Sequence, residues 1–186
     1  MNLTPGSRVD YGTHGMVASA SHRAAAAGLD IMQRGGNAFD AAMAVASVEW
    51  LTVTGSCGLG GDVFAVFYDA KEDRTGAING SGVCAMKASR DYYVSQALSK
   101  MPLDGWHAAA VPGAPHAYDT LVWELGTMQM GDLLSRAFTY AEKGIVVSEK
   151  MSGKISGAAE KLGKFPDSAA MYLRGGVAPR PGDTWV

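Results

Sequence analysis

The sequence predicts a mixed α/β fold in which helices outnumber strands. Three observations lead there. Apolar residues recur at three- and four-residue spacing in several windows, which is the helical period, while Val63 to Tyr68 is a near-continuous apolar run of strand length. Glycine makes up 24 of the 186 residues and falls repeatedly just after the helical windows, where a left-handed residue ends a helix. The composition is 47% hydrophobic and 18% charged with a net charge of −2, which fits one compact domain part spanning 1–186. At that size a chain buries roughly 70% of its unfolded surface without a disulfide or metal staple.

The elements follow in order. After a polar lead-in, residues 15–20 read as a short apolar strand, and Ser19 or Ser21 caps the helix behind it. Ala24, Ala25, Leu29 and Met32 form one buried stripe, and Gly35-Gly36 stops the helix. Asn37 caps a second helix running to about Leu51, with Asp40 at its third position, where the helix dipole favours a carboxylate. Phe39, Ala42, Met43, Val45, Ala46 and Val48 cover most of its circumference, so it is buried on nearly every side. A glycine-dense loop at 54–62 leads into the strand 63–68, whose unbroken apolar character predicts cover on both faces. A polar turn then gives a second strand at 77–79. A helix over 89–99 opens at Ser89, a strand at 108–111 ends at Pro112-Gly113, and helices follow at about 115–125, 132–143 and 149–162, stopped by Gly126, Gly144 and Gly163.

The same residues exclude several function classes. No window supplies the clustered Lys and Arg excess that phosphate backbones require, which removes nucleic acid as a partner. No apolar stretch of about 20 residues exists to span a bilayer, and the first ten residues lack the apolar core of a secretory signal. A cytoplasmic protein is expected, or a periplasmic one if a leader was removed. Cys57 and Cys84 have neither CxxC spacing nor a nearby histidine pair, so they read as two buried free thiols and not as a zinc site. No metal and no cofactor is expected.

The glycine loop fails as a nucleotide site, because Gly60 is followed by Gly61 and Asp62 where a P-loop needs Lys then Ser or Thr, and a strand follows where a dinucleotide fingerprint needs a helix. Asn79-Gly80-Ser81-Gly82 lacks the first glycine of a nucleophile elbow. His14, His22, His107 and His116 put no pair on one helix face, and Glu142 and Lys143 are the solvated side of a helix. The residues by themselves show glycine-shaped loops and no catalytic set.

Taken in order, however, Gly15-Met16-Val17-Ala18-Ser19, Ala27-Gly28, Gly35-Gly36-Asn37-Ala38-Phe39-Asp40-Ala41-Ala42 and Gly58-Leu59-Gly60-Gly61-Asp62-Val63-Phe64 resemble the opening of gamma-glutamyltranspeptidase-like enzymes. Val111-Pro112-Gly113, Gly126-Thr127, Asp132-Leu133-Leu134 and Ala141-Glu142-Lys143-Gly144 continue the resemblance, which covers about 15–185. It implies part of a four-layer αββα N-terminal-nucleophile hydrolase, made as a proenzyme that cuts itself to expose a threonine. That threonine attacks an amide carbonyl, its α-amine acts as general base, and water or an acceptor amine resolves the acyl-enzyme. The resemblance places this chain in the early large subunit, ahead of the threonine, so Thr4, Thr13 and Thr184 are not nucleophiles and no residue here is catalytic. The implied partners are the remaining large-subunit polypeptide, the small catalytic subunit and a small-molecule amide.

Two departures point to a divergent branch that includes cephalosporin-acylase-like and small-amide hydrolases. Where classical members carry an arginine that holds the donor's α-carboxylate, this sequence has Ser81 within Asn79-Gly80-Ser81-Gly82-Val83, and Asp62 follows Gly60-Gly61 in place of a third glycine. Asn79, Ser81 and Val83 are therefore the expected substrate-binding residues, with Lys87 and Arg90 nearby as compensating cations. The resemblance also sets Gly60 and Gly61 near the active-site core, where a positive φ would make alanine costly. The rival reading is a non-catalytic module with the same fold that binds small acids.

Overall fold

The computed structural model describes residues 10–186, so Thr4 and most of the lead-in lie outside the described residues. Helix α1 (His22–Gln33) starts where the Ser21 hydroxyl oxygen accepts the Ala24 N–H at 3.5 Å, and it ends just before Gly35, at φ 92°. Helix α2 (Ala38–Thr52) has the expected cap: the Asn37 side-chain oxygen accepts the Phe39 and Asp40 N–H groups at 2.9 and 3.0 Å, and Asp40 accepts the Asn37 N–H at 2.9 Å. Helices α3 (Arg90–Ser95), α4 (Ala114–Leu125) and α5 (Met130–Lys143) follow. Packing of α2 against α1, α4 and α5 together explains why it is apolar on most sides. The resulting core holds Ala24, Ala27, Ile31, Met43, Val48 and Leu133, and the small side chains on α1 and α2 let the two helices approach closely.

Asp40 anchors this core. Its side chain is 0% exposed, yet it accepts the Thr127 hydroxyl at 2.7 Å and the backbone N–H groups of Asn37, Thr127 and Met128 at 2.9–3.2 Å. Burial alone would raise its pKa, but the Thr127 hydroxyl and the three N–H donors outweigh that, and the net effect is a pKa below the ordinary value of 3.8. Alongside, the Asn37 amide donates to the Leu125 carbonyl at 2.7 Å. The start of α2 is thereby fastened to the turn between α4 and α5.

Strands β1 (Val63–Asp69) and β2 (Arg74–Gly80) form an antiparallel hairpin with Val63 opposite Gly80 and Asp69 opposite Arg74. One face packs on α2 and α4, with Phe39 meeting Phe67 edge to face at 5.3 Å between ring centroids. The other face is open: Phe64, Val66 and Tyr68 are 66%, 83% and 60% exposed. The apolar run does not have cover on both faces here, because nothing within the described residues packs on the second face. A smaller layer at the far end pairs β3 (Ile145–Val146) with β4 (Thr184–Trp185) over α6 (Glu149–Gly157), α7 (Ala159–Gly163) and α8 (Pro166–Tyr172). Its core is Ile145, Val147, Met151, Ile155 and Leu173.

Other expectations are corrected. Residues 15–20 form no strand, since no partner strand lies beside them among the described residues. Residues 108–111 are not a strand either: a 3₁₀ turn occupies Trp106–Ala108, and Val111 makes an isolated bridge to Val83. The 89–99 helix shrinks to α3, and the 149–162 helix breaks at Ala158 into α6 and α7. Cys57 and Cys84 are exposed, because their loops lie outside both cores. No helix among the described residues is long and apolar enough to cross a membrane.

Candidate functional site

The region singled out by the sequence sits where three glycine-bearing loops meet at the start of α4. Asn79 is the penultimate residue of β2, opposite Phe64 in register and so on the open side of the hairpin. Its carboxamide oxygen accepts the Ser81 N–H at 3.1 Å, closing an Asx turn. Gly82 follows at φ 72°, and a Cβ there would fall 2.1 Å from the Val111 carbonyl oxygen. A Cβ on Gly113 would fall 2.3 Å from the Gly82 nitrogen and 2.5 Å from the Gly80 oxygen. Residues 80–82 and 111–113 therefore touch backbone to backbone, a fit that leaves no room for a side chain at Gly80, Gly82 or Gly113.

Two hydrogen bonds complete the junction. The Val111 N–H donates to the Val83 carbonyl at 2.9 Å, and the N–H of Ala114, the first residue of α4, donates to the Gly61 carbonyl at 3.2 Å. The structure thus brings Asn79 and Ser81 together on one rigid turn. Val83 serves the bridge through its backbone while its side chain is exposed. Lys87 and Arg90 lie beyond the bridge, both exposed. Beside the junction a cleft of about 380 Å³ runs between β2 and α4, lined by Arg74, Asn79, His116, Thr120 and Glu124 among others.

Gly60 and Gly61 are not in the left-handed region, and a Cβ on Gly60 would meet nothing within 4 Å, one on Gly61 only the Gly58 oxygen at 3.8 Å. The strain expected there falls instead on Gly82. The sequence showed the Gly-Ser-Gly and Pro-Gly pairs individually, but their interlock joins segments about 30 positions apart and has no local signature. Cys57 is not an activated nucleophile: partial desolvation and the Glu49 carboxylate raise its pKa, and Lys154 offsets them only in part. Among the described residues no group of three or more His, Cys, Asp or Glu is placed to hold a metal ion.

A two-stranded hairpin backed by α2 and α4, with a glycine interlock at the strand end and its second face open, makes the chain a mixed α/β unit with an incomplete sheet layer. The family model described as gamma-glutamyltranspeptidase matches residues 24–186, and the chain belongs to that family. It is 35% identical over 176 residues to the glutathione hydrolase-like YwrD proenzyme of Bacillus subtilis, covering 94% of this chain and 33% of that protein. Among solved structures it matches the Helicobacter pylori gamma-glutamyltranspeptidase with a TM-score of 0.89 at 25% identity, covering 96% of this chain and 52% of that one. It matches the cephalosporin acylase of Bacillus halodurans with a TM-score of 0.85 at 28% identity, covering 100% of this chain and 37% of that one. The chain spans about a third of the length of the curated relatives it matches.

Proposed function

We propose that this chain is the pocket-bearing segment of an amide hydrolase or acyltransferase that cleaves a small gamma-glutamyl-type or related acyl amide. In this reading the chain forms one sheet-and-helix half of an αββα sandwich, in the cytoplasm, or in the periplasm if a leader precedes it. Polypeptide outside the chain supplies a threonine whose hydroxyl attacks the amide carbonyl and whose α-amine takes the proton. The leaving amine departs, and water or a second amine releases the acyl group. Asn79, Ser81 and Val83 line the acyl side.

The observation that supports the reading is the interlocked turn itself, which holds Ser81 just past the end of β2, in a chain that matches part of both a transpeptidase and an acylase over nearly all of its own length. A serine hydroxyl has no charge with which to hold an α-carboxylate. The bidentate arginine contact it replaces contributes about 1.5–3 kcal/mol, or one to two decades in affinity. The full-length protein should therefore hydrolyse a glutaryl anilide with kcat/KM at least equal to that for the matching gamma-glutamyl anilide. A strong preference for the gamma-glutamyl compound, undiminished in Ser81→Ala, overturns the substrate assignment. Ligand binding without any turnover would favour the small-acid-binding module.

A further inference from the structure

We propose that the cavity between the first turns of α1 and α6 binds a phosphate group, independently of the amide chemistry. The cavity measures about 220 Å³ and shares no lining residue with the cleft beside β2 and α4. Its charged lining is all of one sign: His22 and Arg23 come from α1, Lys150 and Lys154 from α6, and no Asp or Glu takes part. More than 120 positions separate the two pairs, so the cluster exists only in the folded chain and no window of sequence displays it. Cations gathered in this way repel one another unless an anion offsets them. Among the described residues the side chains of His22, Arg23 and Lys150 have no ion pair and no hydrogen bond, and Lys154 reaches only the Ser56 hydroxyl. The Glu49 carboxylate on α2 is already engaged by the Ser19 hydroxyl at 2.6 Å and the Ala20 N–H at 3.2 Å.

A second observation points to a ligand. Ser21 lines the cavity at 8% exposure, and its hydroxyl oxygen accepts the Ala24 N–H at 3.5 Å, yet its own proton has no acceptor among the described residues. The Ser148 hydroxyl, accepting the Met151 N–H at 3.1 Å, has its proton free to donate as well. Two hydroxyl donors and three permanent cations, converging from two helices, suit a tetrahedral dianion whose oxygens point in several directions. The first turns of both helices add backbone N–H groups and the positive ends of their dipoles.

The test is calorimetric titration of the full-length protein at low salt with inorganic phosphate and, separately, with glycerol 3-phosphate, neither of which requires turnover. One saturable site is expected, weakening as sodium chloride is added. Arg23→Gln should weaken it about tenfold and Lys150→Gln, at a more exposed position, about threefold. Lys161→Ala, which breaks the ion pair with Asp104 outside the cavity, should leave it unchanged. Tighter binding of the free ion or of the ester identifies the source of the group, and either result supports the site. Succinate, a dianion without a tetrahedral head, should bind at least about tenfold more weakly than the better phosphate ligand, and equal binding overturns the assignment to phosphate. Binding undiminished in both Arg23→Gln and Lys150→Gln overturns the site, and so does equal weakening in Lys161→Ala, the mark of general surface charge. A wild type with no saturable binding overturns it as well; the cations then serve as counter-charges to the carbonyl end of α2, and Arg23→Gln lowers Tm in phosphate-free buffer.

Discussion

Helix α2, at the centre of the α1–α2–α5 core, and strand β1 of the hairpin are both dominated by apolar residues, but one is closed in and the other is half open. In the core, Met43, Val48 and Leu133 are at most 1% exposed, and the one charge, on Asp40, is satisfied by four donors. In the hairpin, Phe64, Val66 and Tyr68 alternate with inward residues and face outward. Burial is decided by whether a second surface is present, and hydrophobicity supplies only the demand for one. Helices bring their own partners within this stretch of chain, whereas a two-stranded sheet has two faces and two edges to satisfy.

The largest expected effect lies on the closed side. Asp40→Ala leaves four donors without their acceptor inside the core and should destabilise the full-length protein by about 3–5 kcal/mol in denaturant unfolding. Because the folded pKa of Asp40 lies below its unfolded value near 3.8, its contribution is complete above that value and is lost as the pH falls through the folded pKa. The wild type should therefore lose stability below about pH 4 more steeply than Asp40→Asn, and parallel curves would show that the carboxylate is not preferentially stabilised. At the junction between the two regions, Gly82→Ala puts a Cβ 2.1 Å from the Val111 oxygen at positive φ and should cost about 2–3 kcal/mol. Gly61→Ala, with room for its Cβ, should melt like the wild type.

On the open side, Val66→Ser sharpens the contrast. If the rest of the protein covers this face, the substitution should cost the full-length protein about 1.5–2 kcal/mol despite the 83% exposure of Val66 within this chain. A neutral result would mean that the hairpin is open in the whole protein as well. The smallest effect belongs to Lys161→Ala, which removes an exposed ion pair with Asp104 and should change stability by less than about 1 kcal/mol, an effect that fades with added salt.

This contrast also marks what the sequence reveals. The capping of α2 by Asn37 and Asp40 was legible because a cap is local, and so was the stop at Gly35, which needs only one positive φ. That Asp40 also gathers Thr127 and Met128 was not, since those partners lie more than 80 positions away. Residues 15–20 have strand composition but no neighbour to pair with, which propensity cannot register. Helix α8 lacks a clear apolar stripe, and Pro166 at its first position was its main local mark. At the candidate site the residue types were readable in the Asn-Gly-Ser-Gly run, while the interlock with Val111 and Gly113 depended on the fold.

The bridge between Val83 and Val111 has a consequence for how this chain tolerates change in length. Everything from Cys84 to Ala110 leaves and returns through one backbone contact, and it carries α3 and the 3₁₀ turn with it. Closing such an excursion costs free energy that grows only logarithmically with its size, so doubling it adds about 0.6 kcal/mol. The Gly82–Gly113 seam fixes both ends whatever lies between them. Insertions, deletions, a protease nick or an appended tag between those ends should pass without reaching Ser81, which makes this excursion an expandable stretch of the chain and a place to graft new sequence.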